Sequence, residues 1–464
     1  MTFNLLNDFL NSYILFAFFS ILSIFLFSKV KFSSEIEKLM YSIGDYLDIS
    51  FSNITNERKY KKLLKIIKKI LIPFFKICLI FLTLFFFVYF FDLTLKKKYS
   101  HSLYEIFFSI EFLFFSSLVI GILYNKKRSH FNFVSRLVYK NFLEKYNFQK
   151  SIFLQSKQNS KQVRGVFITG LARSGSTALM VNLHEEGNFF SLRYNDLPFL
   201  MAPKLQRVFN IFNIQKNKVT ERQHKDGIKI TSKSPEAFDE IFWKLELNNN
   251  YIKKKYIQIN NLKLNNLYNF EKFINIHLKY NKKKFYLSKN NNNIVRLKNL
   301  SNYFSKCLFI VLYRNPTDHI LSLKKQHSNF LNIQHNVPFS LNFMNMVGHH
   351  EFGKGIKIFR LSKKNFKFSD AKNFKYWENI WFNYYSYLLK LEKNLKQNVY
   401  FLDYKKFTHN QFILNNFVKS KFNYKCKLTS KKKRFKRQYD YKKINIDKKT
   451  LRLYDMLQKN KRNI

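Results

Sequence analysis

Val166-Phe-Ile-Thr-Gly-Leu-Ala-Arg-Ser-Gly-Ser-Thr-Ala-Leu179 decides the fold. Residues 166–169 are apolar and β-prone, and predict a short strand. Gly170 and Gly175 then bracket a four-residue loop, and residues 176–184 predict a helix. A strand, a glycine loop and a helix N-terminus together make an anion cradle, because the free N–H groups of the first helical turn point at whatever lies before it. An ATP-hydrolysing version of this loop carries Lys and then Ser or Thr after the last glycine. Here Ser176 stands where that Lys would be, and Arg173 lies inside the loop instead. Such a loop holds an anionic group but lacks the charge that β/γ-phosphate chemistry relies on.

The rest of the second half alternates in the same sense. Residues 307–312 (CLFIVL) form a continuous apolar run, as a parallel strand covered on both faces should. Pro316 then opens a helix expected to run to about Gln326. Residues 285–287 and 399–402 read as further short strands, and 377–392 as a helix. The expected fold is α/β, a P-loop-like parallel sheet flanked by helices. The Asn-rich patches at 248–250 and 290–293 read as inserted loops. Three of the ten glycines fall in 165–175 and three more in 348–355, so these two stretches carry the turns that matter.

TGLARSGSTAL resembles the 5′-phosphosulfate loop of sulfotransferases that use 3′-phosphoadenosine 5′-phosphosulfate (PAPS), whose core reads [KR]-S-G-[ST]-T. Arg314-Asn-Pro-Thr-Asp318, with Ser322 eight residues after the Arg, resembles the 3′-phosphate motif of the same family. The resemblance extends, with gaps, over about 160–405. It includes His224-Lys-Asp-Gly227, the segment from Ser234 to Trp243, and Gly348-His-His-Glu-Phe-Gly353. It implies the sulfotransferase fold and PAPS as co-substrate. Arg173 would stabilise the bridging oxygen as the sulfuryl group departs. Ser174, Gly175, Ser176, Thr177 and Ala178 would donate hydrogen bonds to the phosphosulfate, and Arg314 and Ser322 would hold the 3′-phosphate. The physics agrees, since an Arg at the C-terminal edge of a strand is suited to a charge-assisted phosphate contact.

Sulfuryl transfer also needs a proton acceptor. Asp196, 23 residues after Arg173, and Glu236 are the leading candidates, with Glu240 and His224 behind them. Lys289 resembles a Lys that approaches the sulfate in relatives. No metal is expected. His349, His350 and Glu351 are consecutive, and consecutive side chains rarely face one ion.

The N-terminal third is different. Residues 9–28 are uncharged for twenty positions, enough to span a bilayer, and 71–91 and 106–124 are further apolar runs. Between the first two lies the basic stretch RKYKKLLKIIKK, which the positive-inside rule places in the cytoplasm together with everything after Tyr124. The expected organisation is thus a membrane region over 1–130 with two or three transmembrane helices. A sulfotransferase-like domain follows over 141–410, and a basic tail or helical extension over 411–464. The protein would sit in the inner or plasma membrane with its catalytic domain cytoplasmic. The expected partners are the lipid bilayer and a hydroxyl- or amine-bearing acceptor, a lipid, glycan or lipid-linked precursor. The rival reading is a P-loop nucleotide-binding membrane protein, kinase-like or non-catalytic.

Composition narrows the classes further. The 464 residues carry 82 Lys+Arg against 29 Asp+Glu, a net charge of +53. Only 15 of the basic residues are Arg, so most of the charge is Lys on solvated surface and implies no specific nucleic-acid partner. Three Cys exclude a disulfide scaffold and a paired-Cys zinc module.

Overall fold

The computed structural model describes residues 32–52, 54–96, 133–155, 161–211, 219–221, 229–362, 371–423 and 445–464. The chain divides into two units, Met1–Phe148 and Gln149–Ile464. In the first, α1 (Phe32–Ser50), α2 (Asn56–Lys96) and α3 (Phe133–Phe142) are described. Gly44 on α1 lies so close to α3 that a Cβ there would stand 2.8 Å from the Asn141 carbonyl oxygen. Lys145 pairs with Asp45, and Asp48 accepts from the Phe148 N–H at 3.2 Å. The apolar runs at 9–28 and 106–124 lie outside the described residues, while 71–91 falls within α2. Among the described residues no helix is long and apolar enough to cross a membrane.

The second unit is built on five parallel strands: β1 (Gly165–Gly170), β2 (Phe189–Phe190), β3 (Phe285–Lys289), β4 (Cys307–Tyr313) and β5 (Val399–Asp403). Their order is β2-β3-β1-β4-β5, so β1 is central, with β3 on one side and β4 on the other. Every residue of β1, β3 and β4 is buried. Side chains alternate across the strand. Val166 and Ile168 face a core shared with Leu179 and Leu183 of α4 (Ser176–Glu185) and with Leu414 and Val418. Phe167 faces the other way and stacks on Phe309 at 4.9 Å, beside Phe270 and Phe304. Burying a side chain of this size contributes about 1.5–3 kcal/mol, which is why a strand this short is secure at the centre of the sheet.

Two elements differ from expectation. The helix opened by Pro316, α5 (Pro316–Asn336), runs ten residues past Gln326, because no breaker occurs before Pro338. Asn290–Asn293 is not a solvated insertion. It enters a buried turn, Asn291–Val295, directly after β3. Asn is used there because its amide can satisfy backbone groups that water cannot reach. The Asn290 side chain accepts from the Asn292 N–H at 2.9 Å, and the Asn292 amide donates to the Gly348 carbonyl at 3.1 Å.

After 410 the described chain is mainly helical. Leu414, Val418 and Phe422, spaced four apart, are buried against the sheet. Residues 448–458 form a further helix, anchored where Thr450 Oγ1 donates to Glu378 at 2.8 Å. The chain then reaches β5, with the Phe401 N–H donating to the Arg462 carbonyl at 2.9 Å. The basic stretch 431–443 lies outside the described residues.

Candidate active site

Ligands of open parallel sheets bind beyond the C-terminal ends of the strands, where neighbouring strands diverge in their connections. In this sheet that place is the edge where β1, β3 and β4 end. The β1 end is shaped by two glycines. Gly170 has φ +156, and a Cβ on it would meet Ser174 Oγ at 2.6 Å and the Leu312 carbonyl at 2.8 Å. Gly175 has φ +102 and caps α4, and a Cβ there would run into the Tyr404 ring. Arg173, between them, is itself left-handed at φ 69. That geometry costs a non-glycine residue on the order of 1–3 kcal/mol and persists only when its surroundings impose it. The imposing contacts are visible. The Ser174 N–H donates to the Leu171 carbonyl at 3.0 Å, and Arg173 Nε donates to Ser322 Oγ at 3.2 Å.

That last bond joins the two sequence motifs. Ser322 is on α5, which begins immediately after β4, and Asn315 caps that helix by accepting from the Thr317 N–H at 3.0 Å. His319 on the same helix bonds the Ala172 carbonyl through Nε2 at 2.7 Å. Burial pushes the His319 imidazole down to about 3, so it is neutral at physiological pH. Arg314, at the β4 end, lies 3.6 Å from Asp318 and stacks over Tyr404 at 4.9 Å. Tyr404 therefore touches both motifs, and nothing in the sequence signalled it.

Lys289 ends β3 in register with Ile168. It is 7% exposed, and its ammonium makes no hydrogen bond or ion pair among the described residues. Ser174 Oγ and Arg314 Nε are also buried without a hydrogen-bond partner among them. Two cationic side chains and an orphaned hydroxyl at the end of one sheet form a site built for an anion.

The carboxylates fare differently. Asp196 is committed to Arg193. Its Oδ2 accepts from the Arg193 backbone N–H at 2.8 Å and from Nε at 3.3 Å, and its Oδ1 from the guanidinium at 3.3 Å. Glu236 is 7% exposed and accepts from the Ala237 N–H at 2.9 Å. An isolated bridge between Arg193 and Pro235 brings the two segments together. Glu240 is buried, bonded to Arg296 at 2.5 Å, to the Asn290 amide at 2.7 Å and to Tyr251. It fixes the turn behind Lys289. Asp239, not singled out by sequence, accepts from Ser288, and burial raises it to about 6. His224 lies outside the described residues. Among the described residues no three His, Cys, Asp or Glu side chains gather as metal ligands would.

Residues 165–351 match the model of the Sulfotransferase family. The match opens on the first residue of β1 and spans both motifs, and it supports sulfuryl transfer in general. Among solved structures the chain is similar to the sulfotransferase STF1 of Mycobacterium tuberculosis H37Rv at 12% identity and TM-score 0.37, covering 62% of this chain and 74% of that one. It is similar to the sulfotransferase STF9 of Mycobacterium avium at 9% identity and TM-score 0.35, covering 63% and 72%. It is also similar to the sulfotransferase domain from the curacin biosynthetic pathway at 14% identity and TM-score 0.28, covering 63% and 79%. No curated protein matches the sequence.

Proposed function

We propose that this chain is a PAPS-dependent sulfotransferase acting on a hydroxyl or amine of a membrane-proximal acceptor. The observation that carries the reading is the 3.2 Å bond from Arg173 Nε to Ser322 Oγ, which brings a phosphosulfate-type loop and a 3′-phosphate-type motif to one sheet edge. When bound, PAPS supplies an activated sulfuryl group and a leaving phosphate. The loop N–H groups from Gly175 to Ala178 would bind the phosphosulfate at the α4 N-terminus, where the helix dipole favours negative charge. Ser174 Oγ, buried without a partner among the described residues, fits a hydrogen bond to it. Arg173 and Lys289 would neutralise the charge that grows on the leaving oxygen. Arg314, stiffened by its stack on Tyr404, and Ser322 would hold the 3′-phosphate. The apolar runs at 9–28 and 106–124 and the basic residues between them support a membrane anchor, with the enzyme on the cytoplasmic face.

Calorimetric titration of the full chain in detergent with adenosine 3′,5′-bisphosphate (PAP), beside ATP, tests the reading. Micromolar binding of PAP, weaker binding of ATP and loss of PAP binding in Arg314→Ala are expected. A folded protein that ignores PAP would sink the proposal.

A further inference from the structure

Gly348-His-His-Glu-Phe-Gly353 has no part in the donor site, yet it is held firmly. Asn292 donates to the Gly348 carbonyl at 3.1 Å, and the Asn291 amide donates to Glu351 Oε1 at 2.9 Å. The Gly353 N–H donates to His327 Nδ1 of α5 at 3.2 Å, and the Lys357 N–H to the His350 carbonyl at 2.8 Å. These bonds fix the segment along one pocket. The pocket is also walled by Leu171 and Ala172, the two loop residues before Arg173, and by Leu323, next to Ser322. It therefore backs directly onto the anion loop.

Most of the remaining wall is apolar: Ile257, Ile356, Ile358, Phe359, Trp377 and Ile380. Four polar residues break it, of which the Asn292 amide is spent on the Gly348 carbonyl and the Lys357 ammonium on the Lys254 carbonyl at 2.9 Å, leaving Glu351 and His350. Glu351 is the one carboxylate among the lining residues, partly exposed. His350 is 5% exposed, and its Nδ1 is buried with no hydrogen-bond partner among the described residues. The His350 Nδ1, with the Glu351 carboxylate, gives this wall spare capacity for a ligand hydroxyl. A sugar would bring several hydroxyls that this wall cannot pair, each at a desolvation cost. An alcohol or phenol on an apolar body brings one.

The geometry points to this pocket as the acceptor site, taking an alkyl or aryl alcohol, with Glu351 receiving the hydroxyl proton. The inference rests on the sulfuryl-transfer reading above. The acceptor oxygen forms the new S–O bond while the S–O bond to the donor phosphate breaks. The proton passes to a Glu351 carboxylate oxygen, and the electron pair leaves with PAP beside Arg173. His350 serves as a neutral hydrogen-bond partner to the hydroxyl, since burial, helped by Lys244 and Lys357, pushes its imidazole down to about 3.

The test uses the full chain in detergent with radiosulfur-labelled PAPS and the host membrane fraction. Label is followed into organic-extractable and water-soluble products, and PAP affinity is titrated for each variant. Glu351→Gln, which can still accept from Asn291, is expected to slow transfer by about 100-fold or more with PAP affinity unchanged. Ile358→Trp, which fills the pocket, is expected to lower transfer at least about tenfold, again with PAP bound normally. Label is expected in the organic phase. Transfer by Glu351→Gln within about threefold of wild type, or label confined to water-soluble products, overturns the inference and leaves the donor site standing. Should Glu351→Gln fail to bind PAP, Ile358→Trp decides: PAP bound and transfer undiminished overturns the pocket. A wild type that binds no PAP, or transfers no label, overturns the underlying reading instead.

Discussion

The donor edge and the pocket beside it are neighbours of opposite construction. The proposed donor edge is assembled mainly from two contiguous stretches, 170–178 and 314–322, each entering from the end of a buried strand, with Lys289 and Tyr404 added singly. The pocket draws single residues from far apart in the chain, among them Ile257, Leu323, Glu351 and Trp377. The first is polar, strained and rich in orphaned hydrogen-bonding groups, and the second is mainly apolar with four polar breaks, Asn292, His350, Glu351 and Lys357. Binding of a common donor needs a fixed geometry that local sequence can encode. On the proposed reading, recognition of one particular acceptor is left to a wall that can vary residue by residue.

The sharpest way to break this contrast is Arg173→Ala. If the donor edge carries the charge of the transition state, transfer falls about 10²–10³-fold with little loss of PAP affinity, read by steady-state rates at saturating donor. Unchanged turnover would move the chemistry elsewhere. Gly175→Ala comes next. A methyl there meets Tyr404 and requires a left-handed alanine, so PAP affinity should fall at least about tenfold and stability by on the order of 1–3 kcal/mol. Tyr404→Ala combined with it should restore space but not backbone freedom, so a double-mutant cycle separates the two causes.

The pocket side is probed by acid. His350 is neutral when folded, with its value lowered to about 3, whereas an unfolded histidine titrates near 6.5. Between those values the unfolded chain binds more protons, so folding stability is lost as pH falls below about 6.5. At pH 5 the loss from this residue is about 2 kcal/mol, and His350→Gln should remove that share of the acid sensitivity in melts compared at pH 7 and pH 5. The smallest effect belongs to Asp196→Asn. Because that carboxylate is committed to Arg193, transfer should stay within about threefold of wild type while stability drops by about 1 kcal/mol. A large loss of turnover with intact folding would return Asp196 to the chemistry.

How far the sequence could be read follows the same division. The strand, loop and helix around Arg173 were legible because glycine spacing and an apolar run are local signals. Ser322 was legible because a helix keeps it two turns from the strand end. Asn290–Asn293 misled, since asparagine in a loop and asparagine satisfying a buried turn look alike until their neighbours are known. Tyr404 left no trace, because its value lies in what it touches across the sheet, Gly175 and Arg314. Glu351 stood in a segment already noted, but its setting among Ile257, Ile358 and Trp377 is a tertiary fact.

The central position of β1 has a consequence for how this protein is made. On the ribosome β1 emerges first among the strands, yet its partners β3 and β4 begin only at Phe285 and Cys307, and β5 only at Val399. Until those segments leave the exit tunnel, the Leu312 carbonyl that walls Gly170, the hydroxyl that steadies Arg173 and the ring that covers Gly175 do not exist near the loop. The nascent chain must therefore carry its central, fully buried strand unpaired through much of its synthesis, a delay that favours dependence on chaperones.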